Sequence, residues 1–334
     1  MAVTITDVAR AAGVSPSTVS RALTVPEKVG ASTRERVLRV AEHLGYQPNR
    51  AARALITGRT GSLGLLLPDL ANPFFPRLVR AIQHHAHRAD QRVLMMDTDE
   101  DPAVEPALVR SLTEQVDGLI LCSPRMRPHD LREAAALGPT VLVNRTAPDV
   151  PAVVFDDLGG MRQIVEHLAG LGHARIGFAG GPRLSWSNGQ RLRGLREASA
   201  EFGVQLTELG HFPPSFDGGH VAVEAVLLSE ATAVVTFNDL VAVGLCHALA
   251  ERRVRIPDEI SVVGIDDIDV AGMVQPALTT LALRIESAGR AAVELALELL
   301  AGGVARPAPQ VRIPGDLVVR GTTAPPGPRP TPSE

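Results

Sequence analysis

Between residues 61 and 322, short apolar runs alternate with longer amphipathic stretches, and this alternation restricts the fold more than any other feature of the chain. The runs are Leu63–Leu67, Val93–Met96, Gly118–Leu121, Val141–Val143, Val153–Phe155, Ile176–Ala179, Val234–Phe237 and Ser261–Ile265. Between the first two, residues 74–89 place Phe75, Leu78, Val79, Ile82 and Ala86 on one helical face. Further helical patterns run over 157–171, 190–202, 217–229, 239–252 and 284–301. Strands apolar on both faces belong in parallel sheets covered by helices on each side. So many residues exceed one such sheet, which predicts two stacked, doubly wound α/β lobes. The first lobe is expected over 61–156 and 282–309, the second over 157–281 and 310–322.

In this architecture ligands lie beyond the carboxyl ends of the strands, in the cleft between lobes. Asn72-Pro73-Phe74-Phe75 follow the first run, Ser123 the third, Asn144-Arg145 the fourth, Asn238-Asp239 the seventh and Asp266-Asp267 the eighth. Aromatic residues make up only 3% of the chain, so Phe74 and Phe75 stand out as a stacking wall, although one of the pair also suits the core. Amide, carboxylate and guanidinium groups each bind two ligand hydroxyls at once. Asp239 and Asp267 equally suit helix caps. Trp186, the only tryptophan, suits a pocket wall or a cap on one lobe.

The first 57 residues follow different rules. Thr4 caps a helix with Ile5, Val8, Ala9 and Ala12 at helical spacing, and Gly13 ends it. Ser15-Pro16 restarts a helix with a cap and a proline at its first position, and Val19, Ala22 and Leu23 face inward. Two short helices about a glycine turn make a helix-turn-helix. A third helix carries Val37, Val40, Ala41 and Leu44. The outer face of the second helix is Ser17, Thr18, Ser20 and Arg21, suited to phosphate and to guanine edges in a major groove. Residues 1–60 hold nine basic against four acidic side chains, a charge of +5. The whole chain carries −4, so the rest is acidic and only the head suits a polyanion. After Asn49 about nine residues remain before Gly58, too few for a stable isolated helix. A symmetric copy and a minor groove are the expected support, with Leu55 as a wedge between base pairs.

Thr4-Ile5-x-Asp7-Val8-Ala9, Ala12-Gly13-Val14-Ser15, Thr18-Val19-Ser20-Arg21 and Gly45-Tyr46-x-Pro48-Asn49 resemble the DNA-binding head of the lactose repressor (LacI/GalR) family. The body resembles that family's sensor domain, of periplasmic-binding-protein-like fold. It does so through Asn72-Pro73-Phe74-Phe75, Gly172-His173, Arg191-x-x-Gly194, Phe237-Asn238-Asp239, Ser261-Val262-Val263-Gly264-x-Asp266-Asp267 and Leu278-Thr279-Thr280. The resemblance implies a homodimer on a near-palindromic double-stranded operator, with a helix-turn-helix over 1–47 and a hinge helix and linker over 48–60. It implies base reading by Pro16, Ser17 and Arg21, with Leu55 intercalating at the operator centre. Thr4, Ser15, Thr18, Ser20, Tyr46, Asn49 and Ala52 complete the candidate DNA contacts. It also implies that Arg191, Asn238 and Asp266 bind sugar hydroxyls, joined by Phe74, Phe75, Asn144 and Arg145. Gly30 stands where the family usually caps its third helix with serine.

The expected function is therefore an allosteric repressor of carbohydrate-utilisation genes, cytoplasmic and without enzymatic activity. A sugar acid, phosphosugar, nucleobase or protein co-regulator stays open as the effector. No G-x-G-x-x-G follows a strand and no G-x-x-x-x-G-K-[ST] loop occurs, so a nucleotide-dependent enzyme is disfavoured and no cofactor is expected. No signal segment and no apolar run of membrane-spanning length is present. Cys122 and Cys246 lie in apolar runs and read as buried thiols. His84, His85 and His87 lack a partner at metal-ligand spacing and read as a solvated or dimer-facing stripe. The proline-rich segment 323–334 reads as a disordered tail.

Overall fold

The structure, a computed structural model, describes residues 3–24, 26–46, 58–303 and 307–327. The described chain divides into a head ending at Ser62 and a body beginning at Leu63.

The head is three helices, α1 (Ile5–Ala12), α2 (Pro16–Thr24) and α3 (Ala31–His43), each packed against the other two. At the start of α1, the Asp7 carboxylate accepts from the Thr4 N–H at 3.0 Å and the Thr4 hydroxyl at 2.6 Å. The helix stops at Gly13, whose φ of 65° lets the Val14 N–H turn back to the Ala9 carbonyl at 3.0 Å. Ser15 Oγ then accepts the Thr18 N–H at 3.2 Å and caps α2. The core is Val8, Ala9, Ala12, Val19, Ala22, Val37 and Ala41. The four alanines among these seven let the short helices approach closely. Gly30 precedes α3 and supplies no side-chain cap.

The body contains two six-stranded sheets. The first is ordered β11-β5-β4-β3-β1-β2, comprising β1 (Ser62–Leu67), β2 (Arg92–Asp97), β3 (Gly118–Cys122), β4 (Thr140–Val143), β5 (Ala152–Phe155) and β11 (Gln310–Ile313). The second is ordered β12-β10-β9-β8-β6-β7. Its strands are β6 (Arg175–Gly180), β7 (Gln205–His211), β8 (Ala233–Thr236), β9 (Ser261–Asp266), β10 (Thr279–Leu283) and β12 (Gly315–Val318). The recorded registers are parallel except for β10 against β12. The first lobe carries helices α4 (Phe74–Arg88), α5 (Glu105–Thr113), α6 (Pro128–Ala136) and α12 (Ile285–Leu300). The second carries α7 (Asp157–Gly170), α8 (Trp186–Phe202), α9 (Phe216–Leu228), α10 (Asp239–Glu251) and α11 (Asp269–Met273).

Strands β1, β3, β4, β5, β8 and β9 are buried at every residue, as helices on both faces require. Packing between α9 and α10 depends on glycine. A Cβ at Gly244 would lie 1.9 Å from the Phe216 carbonyl oxygen, so only hydrogen fits there.

The chain crosses between the lobes after β5, after β10 and between β11 and β12. This corrects the expected partition at its end. Gln310–Ile313 pairs with β5 in the first sheet, and the crossover falls at Pro314 instead of before residue 310. Residues 282 and 283 likewise belong to β10 in the second sheet. The expected disorder is also corrected for residues 323–327, while 328–334 lie outside the described residues. The Ala324 N–H donates to Ser261 Oγ at 3.2 Å, and His173 Nε2 meets the Ala324 carbonyl at 2.9 Å. The described chain continues to residue 327, held by side-chain hydroxyls and an imidazole that composition does not reveal.

Candidate functional site

In the head, α2 presents Pro16, Ser17 and Arg21 as exposed residues, with Thr18 and Ser20 half-buried beside them. Ser15 Oγ lies 2.8 Å from Ser17 Oγ and 2.9 Å from Thr18 Oγ1, a chain of hydroxyls at the helix start. Rotatable hydroxyls beside main-chain N–H groups suit phosphate oxygens. Thr4 is exposed at the start of α1, while Tyr46 packs against the head core and is half-buried. Asn49, Ala52 and Leu55 lie outside the described residues.

In the body, the strand ends converge on a tightly closed cleft with a cavity volume of about 20 Å³. Its walls include Phe74, Phe75, Asn144, Arg191, Asn238 and Asp266, six of the seven effector candidates read from the sequence. Asn72 turns the chain into α4, its Oδ1 accepting the Phe74 N–H at 3.1 Å. Phe74 and Phe75 meet edge to face, with ring centroids 5.1 Å apart, and Phe74 continues onto Phe155 at 6.0 Å. Both rings are therefore core and cleft wall at once. Ser123 and Asn144 have positive φ, 45° and 56°, where L-residues are strained, at the ends of β3 and β4. Asn144 Nδ2 donates to Ser123 Oγ at 3.0 Å, while its buried Oδ1 has no hydrogen-bond partner among the described residues.

The second lobe contributes Arg191 from α8. Its Nε donates to Asp157 Oδ1 at 3.1 Å, and Nη1 donates to the Phe237 carbonyl. Its Nη2 stands 3.7 Å from Asp266 Oδ1, and its guanidinium lies 4.9 Å from the Phe237 ring centroid. Burial pushes the Asp266 carboxyl up to about 7, against the pull of Arg191. Burial likewise raises Asp157 above the ordinary carboxylate range, and Asp239 well above it.

Asn238 caps α10, Oδ1 accepting from the Val241 N–H at 2.9 Å and Nδ2 donating to the Pro214 carbonyl at 2.9 Å. Asp239 is not the cap. It accepts from the Ile268 N–H at 2.9 Å and from Thr280 Oγ1 at 2.5 Å. Asp267 does not cap a helix either, and pairs with Arg320 at 2.7 Å.

Arg145 is a correction. It does not line the cleft: Nη1 donates to the Pro124 and Leu184 carbonyls, and Nη2 to Met126, at 3.2, 3.4 and 3.2 Å. Three main-chain carbonyls occupy the guanidinium, so it ties loops together behind the wall. Trp186 packs against the first-lobe core although it begins a second-lobe helix, and is a lobe cap. Phe216 stacks with His220 and His247, at 5.0 and 5.6 Å, and does not line the cleft. His85 pairs with Glu286 at 3.1 Å. Burial pushes the Cys246 thiol up to about 12 and that of Cys122 higher still, and both cysteines are free.

Glu100, Arg125 and Ser187 also line the cleft and escaped the sequence reading. The first two follow the ends of β2 and β3, which was the available signal, but they sit in charged stretches that resemble solvated loops. Arg125 donates from Nε and Nη2 to the two oxygens of Glu100, at 2.7 and 2.8 Å, and from Nη1 to the Ser123 carbonyl at 3.0 Å. Beneath it, buried Glu105 accepts the N–H groups of Arg125 and Met126 at 2.8 and 2.6 Å.

A helix-turn-helix head joined to a two-lobed α/β body with a polar cleft defines a DNA-binding transcription regulator. Residues 4–49 match the lacI family of bacterial regulatory proteins, and residues 165–323 match the periplasmic binding protein-like domain. The HTH-type transcriptional regulator DegA of Bacillus subtilis (strain 168) is 33% identical over 97% of this chain and 99% of its own. The lac repressor dimer bound to operator and the anti-inducer ONPF superposes with a TM-score of 0.85 at 29% identity, covering 97% of this chain and 100% of that one. A ribose-bound LacI family regulator from Enterococcus faecium gives 0.70 at 28% identity, over 79% of this chain and 99% of its own. The chain belongs to the LacI family. Its relatives are transcription regulators, not enzymes.

Proposed function

We propose that this regulator represses carbohydrate-utilisation genes as a homodimer on a near-palindromic operator, with operator affinity set by a small sugar in the interlobe cleft. The observation that carries this reading is buried Asn144 Oδ1, a cleft-lining acceptor without a partner among the described residues, set among edge-to-face phenylalanines and the Arg191–Asp266 pair. Leaving a buried acceptor unmade is costly, and a ligand hydroxyl would satisfy it. Aromatic faces and planar polar groups suit the apolar and hydroxyl faces of a sugar ring. The ribose-bound relative and the ONPF- and operator-bound dimer support the reading.

In the head, Pro16, Ser17 and Arg21 read base edges, while Thr4, Ser15, Thr18, Ser20 and Tyr46 position the backbone. Asn49, Ala52 and Leu55 are assigned to the minor groove from the sequence alone. The working domains are 1–47 for DNA, 48–60 as hinge, and the body for effector and dimerisation. A regulator of chromosomal operators acts in the cytoplasm; no helix among the described residues is long and apolar enough to cross a membrane. Because both lobes line the cleft, a bound sugar biases the angle between them. Couplings of about 1–3 kcal/mol change operator affinity roughly 5- to 150-fold.

Random-oligonucleotide selection with the full chain should return a near-palindrome. Thermal-shift screening should then find a sugar that stabilises the protein and changes its operator affinity. A protein that selects no sequence, or binds sugars with operator affinity unchanged, refutes the proposal.

A further inference from the structure

The two arginines lining the cleft suggest at first an anionic ligand, such as a sugar acid or a phosphosugar. Their hydrogen bonds argue otherwise. An arginine recognises carboxylate or phosphate with two parallel N–H groups of its fork. Arg125 already gives that fork to both oxygens of Glu100 and gives Nη1 to the Ser123 carbonyl. Arg191 gives Nε to Asp157 and Nη1 to the Phe237 carbonyl, and its Nη2 faces Asp266. Three acidic side chains thus surround two guanidinium groups, and burial pushes two of them, Asp157 and Asp266, toward the neutral form. More acid lies close by: Asp97 and Asp99 are exposed beside Glu100, and Asp97 and Glu100 help to raise the Asp69 carboxyl, behind the larger effect of burial.

On the first-lobe side, where the Arg125 fork is taken by Glu100, what the cleft leaves uncommitted is acceptor. Asn144 Oδ1 lines it and is buried with no hydrogen-bond partner among the described residues; across the cleft Asp266 Oδ1 and Arg191 Nη2, 3.7 Å apart, are beyond hydrogen-bonding distance, so acceptor and donor are both open there. A phosphate or carboxylate supplies acceptors and negative charge, and would bring unfavourable repulsion to Asn144 Oδ1 and Asp266 Oδ1. A neutral polyol supplies O–H donors.

We infer that the cleft takes an uncharged, hydroxyl-rich ligand and rejects its anionic counterparts, and that Glu100 sets this choice by occupying the fork of Arg125. The inference rests on the proposed sugar-binding role of the cleft and narrows it. Glu100 is a specificity residue: it contributes nothing to the Arg191 wall, which lies in the other lobe, and governs only what Arg125 offers a ligand.

The test uses the full chain and matched pairs that differ in charge, measured by calorimetry at one ionic strength. D-ribose is set against D-ribose 5-phosphate and D-glucose against D-glucuronate, each followed by the corresponding disaccharides and their acids. The expected result is at least tenfold tighter binding of the neutral member of whichever pair binds. In Glu100→Gln, which keeps the side-chain shape and releases the Arg125 charge, that preference should shrink at least tenfold. The wild-type comparison stands without the variant, and circular dichroism checks that the variant is folded. Tighter wild-type binding of the anionic member overturns the inference and leaves the sugar-binding reading intact, as does an unchanged preference in folded Glu100→Gln for the role of Glu100. Binding of no member by a folded, operator-binding protein overturns both.

Discussion

Arg77, on first-lobe helix α4, donates from Nη1 to the main-chain carbonyl of Asp267 in the second lobe at 2.6 Å. The receiving loop is fixed from its own side as well. Arg320 holds the Asp267 carboxylate at 2.7 Å and donates to the Leu278 carbonyl at 2.8 Å. Asp266 and Asp267 both have positive φ, 115° and 53°. The cleft carboxylate Asp266 therefore sits on a strained turn whose next carbonyl is latched to the opposite lobe.

Arg77 is exposed, so removing it should disturb closure more than folding. Arg77→Ala is expected to change thermal stability by no more than about 0.5 kcal/mol, as for other surface substitutions. Effector affinity should fall several-fold, and most of that loss should appear as faster dissociation. Stopped-flow binding beside differential scanning calorimetry checks both. An unaltered dissociation rate would show that the latch does not hold the lobes together.

The pair Arg191–Asp157 is the opposite case, with side-chain exposures of 3% and 1%. Removing the cation strands a carboxylate that already has one unpartnered oxygen. Arg191→Ala should cost about 3–5 kcal/mol, the usual range for breaking a buried pair from one side, and should abolish effector binding. The double variant Arg191→Met with Asp157→Leu should recover much of the stability without recovering binding. Urea unfolding combined with calorimetry separates the two effects. A single variant as stable as the wild type would mean that water reaches this pair.

The Asp266 carboxyl is raised to about 7, from 3.8 in an unfolded chain. A raised folded-state value means the folded protein holds the proton more tightly. Its contribution to stability is thus complete below pH 3.8 and is lost as the pH rises through about 7. Asp266→Asn, which cannot ionise, should gain on the wild type between pH 4 and pH 8 when ligand is absent. Burial raises Asp157 and Asp239 in the same direction, so the comparison is made as a difference between two proteins at each pH. A difference independent of pH would show that Asp266 is ionised throughout.

The strands themselves were legible wherever their residues are mostly apolar, because β1, β3, β4, β5, β8 and β9 have no solvated face. Other strands were less so. β7 (Gln205–His211) is a sheet edge of mixed polarity, and β11 and β12 are four-residue pieces, one on each side of Pro314. Their sheet membership depends on contacts remote in sequence, which is why the lobe boundary near residue 310 was misplaced. In the site, residues ending an apolar strand were found because the strand points at the cleft. Arg145 ends such a strand and still turns away, since carbonyls at Pro124, Met126 and Leu184 compete for its N–H groups. Glu100 and Arg125 were missed for the complementary reason. Each neutralises the other, and nothing in either local sequence announces a partner 25 residues distant.

Arg21 is exposed on α2, four residues beyond Ser17 and hence on the same helical face. If Arg21 reads a base edge, Arg21→Ala should weaken the selected operator by about 1–3 kcal/mol and leave affinity for unrelated DNA nearly unchanged. A phosphate contact would behave differently: specific and unrelated DNA would weaken together, and the salt dependence of binding would become shallower by about one charge. Ser17→Ala serves as the internal comparison, because it removes one hydroxyl from the Ser15–Ser17–Thr18 group and leaves Arg21 in place. Fluorescence anisotropy on operator and scrambled duplexes, across a salt series, distinguishes the two roles. Equal losses on both duplexes would assign Arg21 to the backbone and move base reading to Pro16 and Ser17.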